Sequence, residues 1–247
     1  MKILVCISKV PDTTTRIAFT DNNTSFDENG VQFIINPYDE WYALVRGLEL
    51  KEAAGAGTVT TITVGGADHD PIIRKALAIG ADEAIRIDAE AKDAYFTAAQ
   101  IAAYAKDKGF DMILLGKETI DYNGSQVAGM VAELLDMPFV SLASKLDIEG
   151  SKAVVEQEIP GGTQVIEVEG PFVLSAAKGM AEQRIPNMRG IMAARSKPLS
   201  VIPPAPIDSL TETVSYELPP AKAGVKLVDP DNMEELVRLL HEEAKAI

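Results

Sequence analysis

A single cysteine, two histidines, one tryptophan and a deficit of positive charge set the first limits on this chain. One thiol, Cys6, cannot close an internal disulfide, and its apolar surroundings mark it as a small core residue. His69 and His241 lie far apart with no Cys or second His at ligand spacing, which argues against a zinc or catalytic metal site; both read as surface residues. The 23 basic residues fall well short of the 37 acidic ones, and a formal net charge of −14 repels nucleic acid and anionic membrane. No apolar run approaches the roughly 20 residues that span a bilayer, and Met1 to Ile7 enters a strand directly without a signal-peptide pattern. The expectation is a protein of the cytoplasm or an organelle matrix, without direct membrane insertion. Also missing are G-x-G-x-x-G after the first strand, G-x-x-x-x-G-K-[ST] and G-x-S-x-G, so the usual nicotinamide, P-loop and hydrolase readings fall away.

What is present is a chain of 247 residues, nearly half of them apolar, enough for a sizeable core. Apolar runs at 3–7, 59–64, 83–87 and 112–115 predict strands. Helix-period segments are predicted at 39–54, 71–79, 94–106 and 124–135. Strands alternating with helices predict a parallel sheet, doubly wound, with its ligand crevice at the carboxyl ends of the strands. Asn36 is placed to cap the first helix, Pro37 to preset its first turn and Asp39 to set negative charge beside its free amides. From about residue 139 the pattern turns to β-type runs at 140–148, 153–159, 164–168 and 172–176, with turns at Glu149-Gly150 and Gly161-Gly162. After Lys197 the prolines at 198, 203, 204, 206, 219 and 220 predict an extended arm. The expected organisation is a nucleotide-binding α/β domain over residues 1–197 and an arm over 198–247. The arm ends in a helix whose stripe of Met233, Leu236, Val237, Leu240 and Ala244 needs something to pack on, preferably another chain.

The segment 111–127 carries most of the chemistry. It reads as a buried strand, a polar loop and the first turn of an apolar helix, where unpaired amides and the positive dipole end favour an anion. Gly124 and Ser125 let a ligand approach the backbone. The turn Gly65-Gly66 either admits an adenine or ribose or simply packs tightly. Tyr38 either meets a flat ligand or serves as a core aromatic. The methionine-rich, basic segment 178–192 suits adaptable protein contacts or core filling. Few acids, bases or nucleophiles stand out, so the chain reads as a holder, with the chemistry in a cofactor.

Together, Val10-Pro11-Asp12-Thr13, Ile35-Asn36-Pro37, Lys75 to Asp82, Leu115-Gly116-Lys117 with Ile120-Asp121, Gly161-Gly162 and Pro186 to Met192 resemble, in order, motifs of the β subunit of electron-transfer flavoprotein. The resemblance runs over essentially the whole chain. It implies a three-layer α/β/α Rossmann-like fold of the adenine-nucleotide α-hydrolase kind, with a mostly parallel sheet, added β-strands and the extended C-terminal arm. It implies an electron carrier, non-catalytic by itself, in a heterodimer with an α subunit that holds most of a shared FAD. The partners implied are acyl-CoA or other flavin dehydrogenases and a quinone oxidoreductase. A structural AMP is implied in a pocket of Cys6, Asn36, Pro37, Tyr38, Asp39, Gly66, Gly116, Asp121, Asn123, Gly124, Ser125, Gln126 and Val127, with phosphate on the amides of 124–127. Tyr38 would also lie near the flavin ring. Met180 is implied as an apolar anchor for the dehydrogenase and Arg184 as the basic residue beside it.

Departures limit what is inherited. Ser125-Gln126-Val127 stands where the family has Asn-Gln-Thr, Pro160 replaces an acidic residue, Gln164 replaces a frequent Glu, and residues 181–185 differ from Asn-Glu-Pro-Arg-Tyr. An electron-bifurcating β subunit with a second FAD is an alternative, although that branch has Gly-Asp-Thr-Ala-Gln-Val where this chain has residues 122–127. A stand-alone adenine-nucleotide-binding stress protein is another.

Overall fold

Alternation within the first apolar run explains the layering. Ile3, Val5 and Ile7 belong to one core, and Leu4 and Cys6 to another. Successive side chains of a strand point to opposite faces, so a run that is apolar throughout belongs to a sheet covered on both sides.

The computed structural model describes residues 1–222 and 224–247. The strands are β1 (Lys2–Cys6), β2 (Lys9–Pro11), β3 (Phe19–Thr20), β4 (Ser25–Phe26), β5 (Phe33–Ile35), β6 (Thr58–Val64), β7 (Glu83–Ile87), β8 (Met112–Gly116), β9 (Phe139–Glu149), β10 (Lys152–Ile159), β11 (Gly162–Glu169), β12 (Phe172–Ala176) and β13 (Leu199–Ile202). The helices are α1 (Asp39–Ala54), α2 (Asp70–Ile79), α3 (Ala94–Ala105), α4 (Val127–Leu135), α5 (Met188–Ala194) and α6 (Met233–Arg238).

Nine strands form one sheet in the order β11-β10-β9-β12-β8-β1-β6-β7-β13. From β9 through β13 neighbouring strands run parallel, while β10 and β11 add an antiparallel ladder at the far edge. Side chains of α1 and α2, including Leu44, Leu48, Ile73 and Leu77, fill the core on one face. Phe96, Ile101, Val131 and Ala132 from α3 and α4 fill the other. This is the three-layer, mostly parallel α/β/α architecture with added strands that the sequence predicts. The chain proceeds from β1 outward through β6 and β7, then returns to β8 on the other side of β1. Reversal there opens a crevice beyond the carboxyl ends of β1 and β8.

One boundary differs from expectation. Residues 199–202, assigned to the arm because Pro198 precedes them, pair in parallel with β7 as the edge strand β13. Leu199 packs on the α1 and α2 side, Ile202 on the α3 side. Pro198 is compatible with this because it sits before the strand, where no ladder donor is required. Lys197 secures the entry by donating from Nζ to the carbonyl oxygens of Leu77 and Ala81 (2.9 and 2.5 Å).

The extended chain that follows stays on its own domain for some distance. Ala205 exchanges two hydrogen bonds with the Gln100 side chain. The amides of Leu210 and Thr211 donate to Asp93 Oδ2, and Tyr216 stacks on Phe19 with ring centroids 4.9 Å apart. The final helix is shorter than its stripe predicts, because α6 gives way to a wider π turn over Leu239–Glu243. Met233 and Val237 are exposed and Leu239 is buried.

Ending the chain after Asp208 should leave the thermal midpoint within a few degrees of the full chain. Ending it after Pro198 removes β13 and should lower the midpoint by about 5 °C or more, since uncovering Leu199 and Ile202 costs about 2 kcal/mol or more and each kcal/mol shifts a chain of this size by about 2–4 °C. Calorimetry of the two truncations checks this, and equal midpoints would contradict the reassigned boundary.

Candidate functional site

Gly116 closes β8, and the space it leaves is used by protein. A Cβ there would lie 2.8 Å from Glu40 Cγ and 3.0 Å from both Asp39 Cβ and the Glu40 nitrogen. Only glycine lets the start of α1 sit against the end of β8. Just before α1, Asn36 is fully buried, and its side chain spans to the loop after β8. Nδ2 donates to the Glu118 carbonyl oxygen (2.9 Å), and Oδ1 accepts from the Ile120 amide (3.0 Å). Its own amide donates to the Ser8 carbonyl oxygen after β1 (3.3 Å). Three loops at the sheet's carboxyl edge are thereby tied together.

Asn36 consequently does not cap α1. The cap position is Tyr38, which makes no side-chain capping bond and holds φ 63° and ψ −92°. Positive φ at a bulky residue is strained. Tyr38 is 58% exposed. Pro37 lies before the cap rather than in the first helical turn, and its carbonyl oxygen accepts from the Asp39 amide (3.0 Å).

Beyond the strand ends lies a cavity of about 420 Å³. Cys6, Ile62, Val64, Ile101, Leu115 and Ala128 give it an apolar interior; Ser8, Glu40, His69, Lys117, Glu118, Asp121, Gly124, Ser125, Gln126 and Val127 are among its remaining lining residues. Thr211 and Thr213 of the arm contribute from outside. Of the residues expected at a pocket, Cys6, Gly116, Asp121, Gly124, Ser125, Gln126 and Val127 line it. Asn36 acts from behind the wall. Pro37, Tyr38, Asp39, Gly66 and Asn123 do not line it. His69, expected at the surface, lies across Gly65, where a Cβ would meet its ring at 2.4 Å, and lines the cavity.

The loop 117–126 is shaped by its backbone. Asn123 (φ 48°) and Ser125 (φ 51°) are left-handed, which no helix tolerates. For that reason α4 starts at Val127, three residues later than the sequence predicts, with Gln126 as its cap and no side chain on the free amides. A Cβ on Gly124 would meet nothing within 4 Å. The result is a left-handed turn leading into an uncapped helix start, both facing open space: a geometry that can hold an anion.

Charge in the cavity is not uniform. Burial pushes the Glu40 carboxyl up to about 8; Ser8 opposes the shift, donating from its amide and hydroxyl (2.6 Å each), while Asp121 and Asp39 add to it. Burial raises Asp39 to about 6. The Cys6 thiol is raised well above its ordinary value by burial and then by Glu40, which makes it inert. Glu118 is held below the ordinary carboxylate range, chiefly by Lys117. Asp68 falls to about 2, mainly through its pair with Lys9, and also meets His69 Nδ1 at 3.2 Å. Sequence reasoning missed Glu40, because few acids stand out from the sequence alone. The available signal was its spacing of four and eight residues from the buried Leu44 and Leu48.

Met180, expected as an apolar anchor for a dehydrogenase, is 4% exposed and packs within the core shared with α1 and α2. Gly179 at φ 104° turns the chain back after β12 and directs Met180 inward. The exposed apolar side chains of the segment that follows are Ile185, Met188, Ile191 and Met192. Arg184 makes a two-pronged pair with Glu52 (2.7 and 3.0 Å), and its carbonyl oxygen accepts from Trp41 Nε1 (3.1 Å). No helix among the described residues is long and apolar enough to cross a membrane.

Comparison with known proteins places this geometry in a family context. The electron transfer flavoprotein domain family matches residues 23–207. Electron transfer flavoprotein subunit beta of Bacillus subtilis (strain 168) is 37% identical over 261 residues, covering 100% of both chains. The human protein of the same name is 32% identical, covering 98% of this chain and 97% of its own. The Caffeyl-CoA reductase-Etf complex subunit CarD of Acetobacterium woodii is 31% identical, covering 96% of this chain and 95% of its own.

Glu40 yields a pH prediction. Its folded value lies above its unfolded one, so the folded state holds the proton more tightly and stability falls as pH rises from about 4.5 through about 8. Glu40→Gln keeps both Ser8 contacts, because the Ser8 hydroxyl can accept from the new amide. The substitution should flatten the decline in thermal midpoint across that window and raise stability above it. Parallel midpoint-versus-pH curves for the two proteins would contradict the neutral, buried Glu40.

Proposed function

The chain belongs to the electron transfer flavoprotein family, and from that premise we propose that it is a β subunit. In this reading it holds a structural AMP in the cavity and closes over an FAD carried mainly by an α subunit. The cavity carries the proposal. It lies at the topological switch point, its interior is apolar, and its loop presents free amides beside open space at Gly124. A volume of about 420 Å³ sits at the lower end of the roughly 300–1,000 Å³ range for small-molecule pockets, which suits a mononucleotide better than a dinucleotide.

The base would lie among Cys6, Ile62, Val64 and Ile101, where apolar contact needs no charge. Phosphate would meet the amides of 124–127 and the start of α4, with Lys117 as the nearby cation. Asn36 holds the loop in register, and Gly116 keeps α1 close without narrowing the site from the strand side. None of these residues performs redox chemistry. Electron transfer belongs to the flavin, and the protein's part is to shield it from water while leaving an edge near its electron donors and acceptor.

Exposed Tyr38, held at positive φ, is proposed to face the flavin of the α subunit. Arg184 is proposed at the contact with an acyl-CoA or other flavin dehydrogenase, with Met180 supporting that segment from beneath. A quinone oxidoreductase is the proposed acceptor. The setting proposed is the cytoplasm or an organelle matrix.

The test is to co-express the chain with its α subunit and identify by mass spectrometry the nucleotides released on denaturation. AMP and FAD are expected in equal amounts, one of each per heterodimer. Ser125→Pro should release FAD but little AMP, because proline cannot adopt the left-handed φ at that position. Two FAD and no AMP would favour the second-flavin alternative, and full AMP in the proline variant would refute the placement of the phosphate.

A further inference from the structure

Glu118 is a carboxylate inside a loop that otherwise suits an anion. Ser125 Oγ donates to Glu118 Oε2 at 3.1 Å, and Lys117 Nζ lies 3.1 Å from Glu118 Oε1. Ser125 and Lys117 line the same cavity as Glu118. The acid therefore takes up the donors that a phosphoryl group entering this loop would need.

Its backbone cannot retreat. The Glu118 carbonyl oxygen and the Ile120 amide are both bonded to the fully buried Asn36 side chain. Only the Glu118 side chain is free to rotate, and the Lys117 ammonium is its remaining partner once Ser125 is given up.

We propose that Glu118 is an internal anion of the nucleotide site, bound to the phosphate loop in the empty chain and displaced by phosphate on binding. This rests on the nucleotide reading above and deepens it by naming the residue that weakens the phosphate's share of affinity. The displaced carboxylate stays close to the ligand's negative charge, and the two compete for Lys117. The cost falls on phosphate alone, since the base and ribose do not meet these donors.

Titration calorimetry of the full chain, freed of bound nucleotide, with AMP and with adenosine tests the idea on the wild type and on Glu118→Gln. The substitution keeps the side chain's size and a hydrogen-bond acceptor for Ser125 while removing the charge. The dissociation constant for AMP should fall about tenfold, or about 1.4 kcal/mol, with that for adenosine unchanged. A matched thermal midpoint confirms that the variant is folded. Ser125→Ala, which removes the shared hydroxyl, should shrink the gain that Glu118→Gln gives for AMP. An unchanged AMP constant, or equal changes for AMP and adenosine, would overturn the role of Glu118 while leaving the nucleotide site standing. Failure of the wild type and of both variants to bind either ligand would overturn the nucleotide reading and this inference together.

Discussion

The side-chain amide of Asn36 is the interaction on which the rest of the site depends. A fully buried amide must have its hydrogen bonds made within the protein. Asn36 makes them with the backbone at Glu118 and Ile120, in the loop between β8 and α4. Leaving such a group unpaired costs about 1–3 kcal/mol. Gly116 allows the same junction by leaving room for Asp39 and Glu40. The loop is therefore held at its base, while Gly124 and Ser125 at its tip face open space.

Electrostatics follow from this placement. The chain carries a net charge of −14, and the cavity adds Glu40, Glu118 and Asp121, so an anion there needs local help. Local help comes from the backbone amides, the positive end of α4 and Lys117 beside the loop. Removal of an opposing charge helps as well. With its carboxyl pushed to about 8, Glu40 is mostly neutral near pH 7, and its hydrogen bonds with Ser8 survive in the neutral form. Burial thus limits the repulsion that the acidic composition would otherwise impose.

Much of this was legible in the sequence. The central strands show as continuous apolar runs because both faces of the sheet are covered, and the crevice follows from strands alternating with helices. The loop after β8 could be singled out because its polarity interrupts two apolar segments. Long-range effects were less accessible. Pro198 marks a break in hydrogen bonding locally, yet Leu199 and Ile202 find both faces of the core and add a strand. Asn36 has the residue type and position of a helix cap, but a tertiary contact more than 80 residues away takes its amide. Met180 sits among basic and small residues typical of a loop, and only the turn at Gly179 sends it inward. Glu40 did not stand out among the many acids, although its register with Leu44 and Leu48 pointed to the core. For Pro198 and Asn36, local pattern competed with a partner distant in sequence, and the distant partner prevailed.

The central claim is that backbone amides at residues 124–127, fixed from behind by Asn36, grip a nucleotide phosphate. Backbone amide NMR of the isotopically labelled full chain, titrated with AMP and in parallel with adenosine, addresses it directly. The account predicts that AMP shifts the amide protons of Gly124, Ser125, Gln126 and Val127 strongly and slows their exchange with solvent, while adenosine moves mainly the resonances of Cys6, Val64 and Ile101. Amides at 124–127 that respond alike to both ligands, or to neither, would contradict it.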